Sequence, residues 1–309
     1  MKWKGVIPAI TTYFDEKGGV DHGFMADHAR WLVENGCTGV VALGSLGEGA
    51  TLSFEEKAEI LRNLVRALRG HAPVVASISS LTTAESVSLA KAAAETGCDA
   101  LMVLPPYVYK GDWREMKAHV ATVFKATKLS CMLYNNPISY GTDFLPDQIR
   151  ELASEHPSFH AVKESSADVR RVSAIRALVG DRLAVFVGVD DAIVEAIGVG
   201  ATGWIAGLAN ALPRESVDLF NYATEGKSAQ AFELYRWFLP LLRLDTVPKF
   251  VQLIKLVQEE LGVGSGRVRA PKLEIAGEEL ESTRKLIRDA MRSRPKSAST
   301  ELRAATRSA

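Results

Sequence analysis

The stretch Phe159-His160-Ala161-Val162-Lys163-Glu164-Ser165-Ser166 reads as a short buried strand that ends on a lysine. An apolar run with Lys163 at its carboxyl end suits a barrel strand delivering an amine into a water-poor pocket. There desolvation disfavours the ammonium form and lowers its pKa. A free lysine titrates near ~10.4 and is protonated at neutral pH, so activation as a Schiff-base nucleophile requires such an environment. Seen in isolation, a strand-end lysine is more often a surface group snorkelling into solvent. Its surroundings in the chain decide between the two.

Working outward, the same kind of run recurs at 6–12, 39–43, 74–79, 100–104, 129–134, 159–163, 184–188 and 203–206. Between these runs lie longer amphipathic segments beginning near Asp21, Ser53, Thr83, Asp112, Leu145, Ala167, Asp190 and Pro213. Several open on capping residues, such as Ser53 followed by Glu56. Strand and helix alternate as expected of βα units around a parallel sheet. The phrases Gly36-Cys37-Thr38-Gly39, Gly97-Cys98-Asp99-Ala100 and Gly200-Ala201-Thr202-Gly203 form a faint internal repeat, each ending a helix on glycine and entering a strand. Eight such units over about 225 residues match an α/β fold of the (β/α)8 TIM-barrel type. A doubly wound open sheet is the alternative, but the first βα turn has no GxGxxG.

After the eighth unit the pattern is helical only, at 228–242, 248–261 and 277–292. The expected organisation is therefore a barrel over 1–226 carrying the site, a C-terminal three-helix appendage over 227–292, and a disordered tail over 293–309, rich in Ser, Arg, Lys and Ala. The stripe Phe232, Tyr235, Trp237, Phe238 and Leu241 reads as core or subunit contact rather than a cofactor box.

Composition narrows the function. Lys plus Arg and Asp plus Glu are both 37, so the formal net charge is +0 and nothing points to nucleic acid. A small-molecule partner is the default. No window offers ~20 consecutive apolar residues for a membrane span, and the start lacks a signal-peptide core, so a cytoplasmic location is expected. Cys37, Cys98 and Cys131 lie far apart without CxxC pairing. The six histidines show no HxH or HExxH cluster, so no metal is expected.

In a barrel the working groups sit at the carboxyl ends of the strands. After the second strand, Gly44-Ser45-Leu46-Gly47-Glu48-Gly49 reads as an anion cradle, its glycines letting backbone N–H groups converge on a carboxylate while Ser45 adds a hydroxyl. The fifth strand ends at Tyr134-Asn135-Asn136-Pro137, offering a phenol for proton relay. Pro105-Pro106-Tyr107-Val108-Tyr109 gives a stiff loop whose two tyrosines either wall a pocket, cross into a neighbouring subunit or simply pack. After the seventh strand, Gly188 places a carbonyl at the mouth, and Asp190 and Asp191 are assigned to capping the next helix.

Together these motifs resemble the dihydrodipicolinate synthase / N-acetylneuraminate lyase family over roughly residues 4 to 290, from Gly5-Val6-Ile7-Pro8-Ala9 through Val162-Lys163-Glu164-Ser165-Ser166 to the helical tail. The resemblance implies that Lys163 forms the Schiff base, Tyr134 shuttles protons and Ser45 occupies the first hydroxyl position of the cradle, with Leu46 in place of the second. It implies substrate contacts at Gly44, Leu46, Gly47, Tyr107, Tyr109, Gly188 and Ile205, no cofactor, and a homotetramer. Two departures count against dihydrodipicolinate synthesis. The segment where the synthase carries a carboxylate-binding arginine reads Ile138-Ser139-Tyr140-Gly141, and the neighbour-subunit tyrosine aligns with Val108, with Tyr109 close enough to substitute. Phrases such as Lys163-Glu164-Ser165-Ser166-Ala167-Asp168-Val169-Arg170-Arg171 and Gly203-Trp204-Ile205-Ala206-Gly207-Leu208 resemble more closely the branch that includes 1-pyrroline-4-hydroxy-2-carboxylate deaminase. That branch implies a 2-oxo acid or cyclic imino acid substrate. 2-Keto-3-deoxy sugar acid dehydratases and aldolases share the framework, and a non-catalytic 2-oxo acid sensor is the alternative from another class.

Overall fold

In the computed structural model, which describes residues 1–295, the alternating pattern folds into eight parallel strands. These are β1 Gly5–Pro8, β2 Val40–Ala42, β3 Val74–Ile78, β4 Ala100–Val103, β5 Ser130–Asn135, β6 Phe159–Glu164, β7 Ala184–Val187 and β8 Gly203–Ala206. Neighbours pair in the order β1-β8-β7-β6-β5-β4-β3-β2. The ring closes between β1 and β2 through a parallel bridge at Ala9 and Val41, with Ile10 N–H donating to Val41 O at 2.9 Å. The fold is thus a (β/α)8 barrel. Nearly every strand residue is buried, as parallel strands covered on both faces must be.

The covering helices are α1 His22–Glu34, α2 Phe54–Leu68, α3 Thr83–Thr96, α4 Trp113–Lys125, α5 Pro137–Tyr140, α6 Pro146–Glu155, α7 Arg170–Val179, α8 Ile193–Gly198 and α9 Pro213–Thr224. Ser53 and Glu56 form a reciprocal capping box on α2, and Asp112 with Glu115 does the same on α4. Gly36, Gly97 and Gly200 all have positive φ, between +91° and +106°, which is why the helix-to-strand repeat carries glycine there. The first strand ends at Pro8, four residues before its expected end, and two further differences concern helices. Ala167 takes a left-handed φ of +61°, so the chain turns once more before α7 begins at Arg170. The unexpected short helix α5 is started by Pro137 and by Asn136, whose side chain accepts from Ser139 N–H at 3.0 Å.

Three further helices follow the barrel: α10 Ser228–Leu242, α11 Phe250–Glu260 and α12 Gly277–Arg292. Tyr235, Phe238 and Leu241 of the aromatic stripe are buried, while Phe232 faces solvent and Trp237 donates to Ala290 O at 2.8 Å. Helix α11 lies across the carboxyl end of the barrel. Gln258 accepts from Thr11 Oγ1 at 3.1 Å and donates to Asn210 O at 3.3 Å, joining the loops after β1 and β8. Of the expected tail, Arg294 is ordered against Glu215, with Nε donating to Oε1 at 2.7 Å. Residues 296–309 lie outside the described residues. No helix among the described residues is long and apolar enough to cross a membrane.

Candidate active site

Register brings the two central side chains together. Tyr134 on β5 pairs with Lys163 on β6, and Lys163 pairs in turn with Phe186 on β7. Side chains at paired positions share a face, so phenol and amine lie side by side inside the barrel. Lys163 Nζ stands 4.0 Å from the centroid of the Tyr134 ring, and the lysine is only 6% exposed. Among the described residues no carboxylate forms an ion pair with it. A Cβ on Gly188 would overlap Lys163 Cε and Ser165 Oγ, so the chain needs glycine there to let the lysine lie over β7. Ile205 follows on the same inward face, since Phe186 pairs with Gly203 two residues before it.

A buried polar layer behind these strands fixes their ends. Asn135 is fully buried, donates to Glu164 Oε2 at 3.0 Å and accepts from Phe144 N–H at 2.9 Å. Glu164 also accepts from Ser166 N–H at 2.7 Å. Arg171 grips Asp143 at 2.8 and 3.1 Å and the Phe144 carbonyl at 2.8 Å. These bonds account for Asn135, Glu164 and Arg171 as supports rather than reacting groups.

The 44–49 loop is held from both sides. Thr12 Oγ1 donates to Gly47 O at 2.6 Å, and Glu48 N–H and Gly49 N–H donate to Ser45 O and Gly44 O, each at 3.1 Å. No protein acceptor among the described residues takes the N–H groups of Ser45, Leu46 and Gly47, which leaves three consecutive donors for an anion. Leu46 is buried. Glu48, at φ +53°, sends its carboxylate to Lys255 of α11 at 2.6 Å, and it also accepts from Arg269 N–H at 3.0 Å.

The hydroxyl that meets Ser45 is one that sequence reasoning missed. Tyr140, at the end of α5, hydrogen-bonds Ser45 Oγ through its own OH. Its ring lies edge-on to Tyr134 at 5.7 Å and tilted against Tyr107 at 5.4 Å. Burial pushes the Tyr140 phenol well above its ordinary range, and the neighbouring Tyr134 and Tyr107 push the same way. Tyr107 is likewise raised by burial. Tyr134 OH accepts from Asn136 Nδ2 at 3.0 Å. By contrast Tyr109 is 58% exposed and donates to Glu115 at 3.0 Å, outside this cluster. A signal for Tyr140 existed: Asn136-Pro137 starts a one-turn helix that carries it back toward the mouth.

Asp190 does not cap α8, whose first residues receive no side-chain bond. It is fully buried and accepts from Trp204 Nε1 at 2.9 Å, from Gly207 N–H at 3.1 Å and from Leu208 N–H at 2.8 Å, tying the loop after β7 to the end of β8. Burial raises its pKa to about 6 against these donors. A surface concavity of about 850 Å³, bordered by Lys4, Thr38, Arg69 and Asn221, opens at the amino ends of the strands, the face of such barrels that serves stability rather than chemistry.

The sequence matches the model of the Dihydrodipicolinate synthetase family over residues 2–290. It is 31% identical over 288 residues to the 4-hydroxy-tetrahydrodipicolinate synthase of Methanocaldococcus jannaschii, covering 93% of this chain and 98% of that one. Among solved structures it resembles a dihydrodipicolinate synthase from Bacillus anthracis, with a TM-score of 0.90 and 27% identity over 96% of this chain and all of that one. It also resembles the dihydrodipicolinate synthase of Aquifex aeolicus, with a TM-score of 0.89 and 28% identity over 93% and 98% of the two chains.

Proposed function

Because this chain belongs to the dihydrodipicolinate synthetase family, we propose that it is a lysine Schiff-base enzyme that converts 1-pyrroline-4-hydroxy-2-carboxylate to 2,5-dioxopentanoate and ammonia. Neutral Lys163 attacks C2 of the cyclic imine and opens the ring by transimination, leaving a protonated Schiff base that acidifies C3–H. Tyr134, Ser45 and Tyr140 carry the C3 proton away. The C4 hydroxyl is then eliminated to leave a C3=C4 bond. Loss of a proton from C5 and its return at C3 give the C5 enamine, which tautomerises to an imine, and two waters release ammonia and, from Lys163, the product. The balance involves no redox change, so no cofactor is invoked. The free N–H groups of residues 45–47 hold the C1 carboxylate, which is why Leu46 need not carry a hydroxyl. The enzyme is proposed to work as a cytoplasmic homotetramer.

The observation that carries this reading against a synthase is the turn after Tyr134. It presents Tyr140 to Ser45 and no guanidinium for a second substrate's carboxylate. The synthase reading is favoured by the names of the similar proteins, and one cation, Lys110, does lie against Gly141. Lys110 is exposed, and a solvated ammonium is a weak substitute for a fixed fork.

A substrate panel separates the readings. Ammonia release from the pyrroline without pyruvate consumption or formation supports the deaminase. Condensation of pyruvate with aspartate semialdehyde supports the synthase, and pyruvate formation from a 2-keto-3-deoxy sugar acid supports an aldolase. Borohydride with substrate is expected to leave an adduct on Lys163, and normal turnover by Lys163→Ala would sink the Schiff-base proposal.

A further inference from the structure

One partly buried carboxyl at the mouth has no part in the steps above. Asp245 lies in the short 3-10 turn Arg243–Asp245 after α10, so it belongs to the appendage and not to the barrel. Its side chain nevertheless reaches the end of β8, where a Cβ on Gly207 would overlap its carboxyl group. The same glycine's N–H is bound by Asp190, so two carboxyls converge on Gly207. Among the described residues no donor reaches Asp245, whereas Asp190 accepts from three donors. The charged groups that act on Asp245 are Asp190, Lys163 and Asp191, and Asp191 itself pairs with Arg243 at 3.5 Å.

Of two like-charged groups at one place, the one with donors holds the charge and the one without holds the proton. We propose that Asp245 is the acid that protonates the departing C4 hydroxyl, and so commits this site to substrates that lose water beside a Schiff base. Burial, reinforced by Asp190, keeps its carboxyl well above the ordinary carboxylate range, with Lys163 opposing. In the step, the enamine nitrogen of the Lys163 adduct restores the C2=N bond and the C2=C3 pair becomes C3=C4. The C4–O bond breaks, and the oxygen leaves as water with the Asp245 proton. Asp245 is left as a carboxylate and regains its proton from solvent after product release. A synthase forms no bond break of this kind and has no use for such an acid.

This inference rests on the elimination chemistry of the proposed function, and the test keeps the two apart. Wild type and Asp245→Asn are compared for borohydride trapping, for exchange of the C3 hydrogens into D2O, and for turnover of the hydroxypyrroline and a 2-keto-3-deoxy sugar acid. Trapping and exchange are expected to stay within about threefold, while elimination falls about 10²-fold or more. On a 4-fluoro pyrroline, whose leaving group departs as fluoride, the variant is expected to regain a rate within about threefold of wild type. Equal elimination by the variant, an equal loss on the fluoro compound, or joint loss of trapping and elimination each overturns the role of Asp245. A wild type that eliminates from a keto-deoxy acid but not from the pyrroline refutes the deaminase reading and leaves Asp245 testable on the active substrate. A wild type that eliminates from neither overturns both.

Discussion

Replacing Lys255 with methionine tests whether the helical appendage holds the carboxylate loop in shape. Lys255 and Glu48 side chains are 2% and 0% exposed, and Nζ lies 2.6 Å from Oε1 and 2.6 Å from the Arg267 carbonyl. Phe14 stacks beneath the ammonium at 4.6 Å. Burial pushes the lysine below its ordinary range even with Glu48 beside it, so forming the pair gains little over an apolar contact. Breaking it is another matter, because Glu48 stays buried with a charge. Removing one partner of such a pair costs about 3–5 kcal/mol. Here Arg269 N–H at 3.0 Å and Lys272 at 3.7 Å still face the carboxylate, so about 3 kcal/mol is expected. At about 2 °C per kcal/mol for a chain of this size, Tm should fall by roughly 6 °C. Adding Glu48→Gln should recover most of that loss, since no buried charge remains. The loop should also loosen, because Glu48 sits at φ +53° and needs an anchor to stay there. KM for the carboxylate substrate is then expected to rise about tenfold, with kcat within about threefold. Thermal unfolding followed by circular dichroism and a steady-state assay give both numbers. A Tm within about 1 °C of wild type together with an unchanged KM would refute the reasoning, since a carboxylate held out of water cannot lose its ammonium partner without a large desolvation cost.

Tyr140→Phe removes the hydroxyl on Ser45 but not the ring, so substrate-dependent C3 exchange should fall about 10²-fold while borohydride trapping persists. Tyr109→Phe, whose hydroxyl is engaged by Glu115, should change exchange by less than about threefold; the reverse ranking would show that the relay is completed from elsewhere. His28 is buried among Tyr13, Phe24 and Trp31, and burial lowers its pKa to about 4. Its folded pKa lies below the unfolded ~6.5, so the stability it contributes is complete above pH ~6.5 and is lost as pH falls toward 4. Urea unfolding at pH 7 and pH 4.5 should show that His28→Phe loses about 2–3 kcal/mol less than wild type over this interval, and parallel losses would exclude His28 as the source.

How far the sequence reached depended on how local each signal was. Strand, helix and cap are written in neighbouring residues, which is why 203–206 and both ends of α10 and α12 coincide with the structure. The placement of Lys163 and Tyr134 side by side at neighbouring strand ends was legible too, because the carboxyl end of a barrel strand is a position that order along the chain alone assigns. Asp190 was misread for the complementary reason. An aspartate before a helix has the composition of a cap, but what claimed it was the indole of Trp204 and two N–H groups beyond β8, and no local pattern expresses that partnership.

Two contacts that the sequence left unassigned share one feature, which bears on how the site works. Glu48 is anchored by Lys255 over 207 residues of chain, and Asp245 reaches Gly207 from a turn outside the barrel. Both contacts come from the helical appendage, one on the 44–49 loop and one at the end of β8. Helix α11 adds a third tie through Gln258 to Thr11 and Asn210. A barrel alone would present Lys163 and Tyr134 on rigid strands but leave the 44–49 loop, entered from left-handed Leu43 and carrying left-handed Glu48, held by Thr12 and Tyr140 without Lys255. Geometry within a fraction of an ångström at the reacting carbon requires both ends of the substrate to be held. The strands fix the amine, and the appendage fixes the groups that face it, so loosening the appendage should lower kcat/KM without touching a single barrel residue.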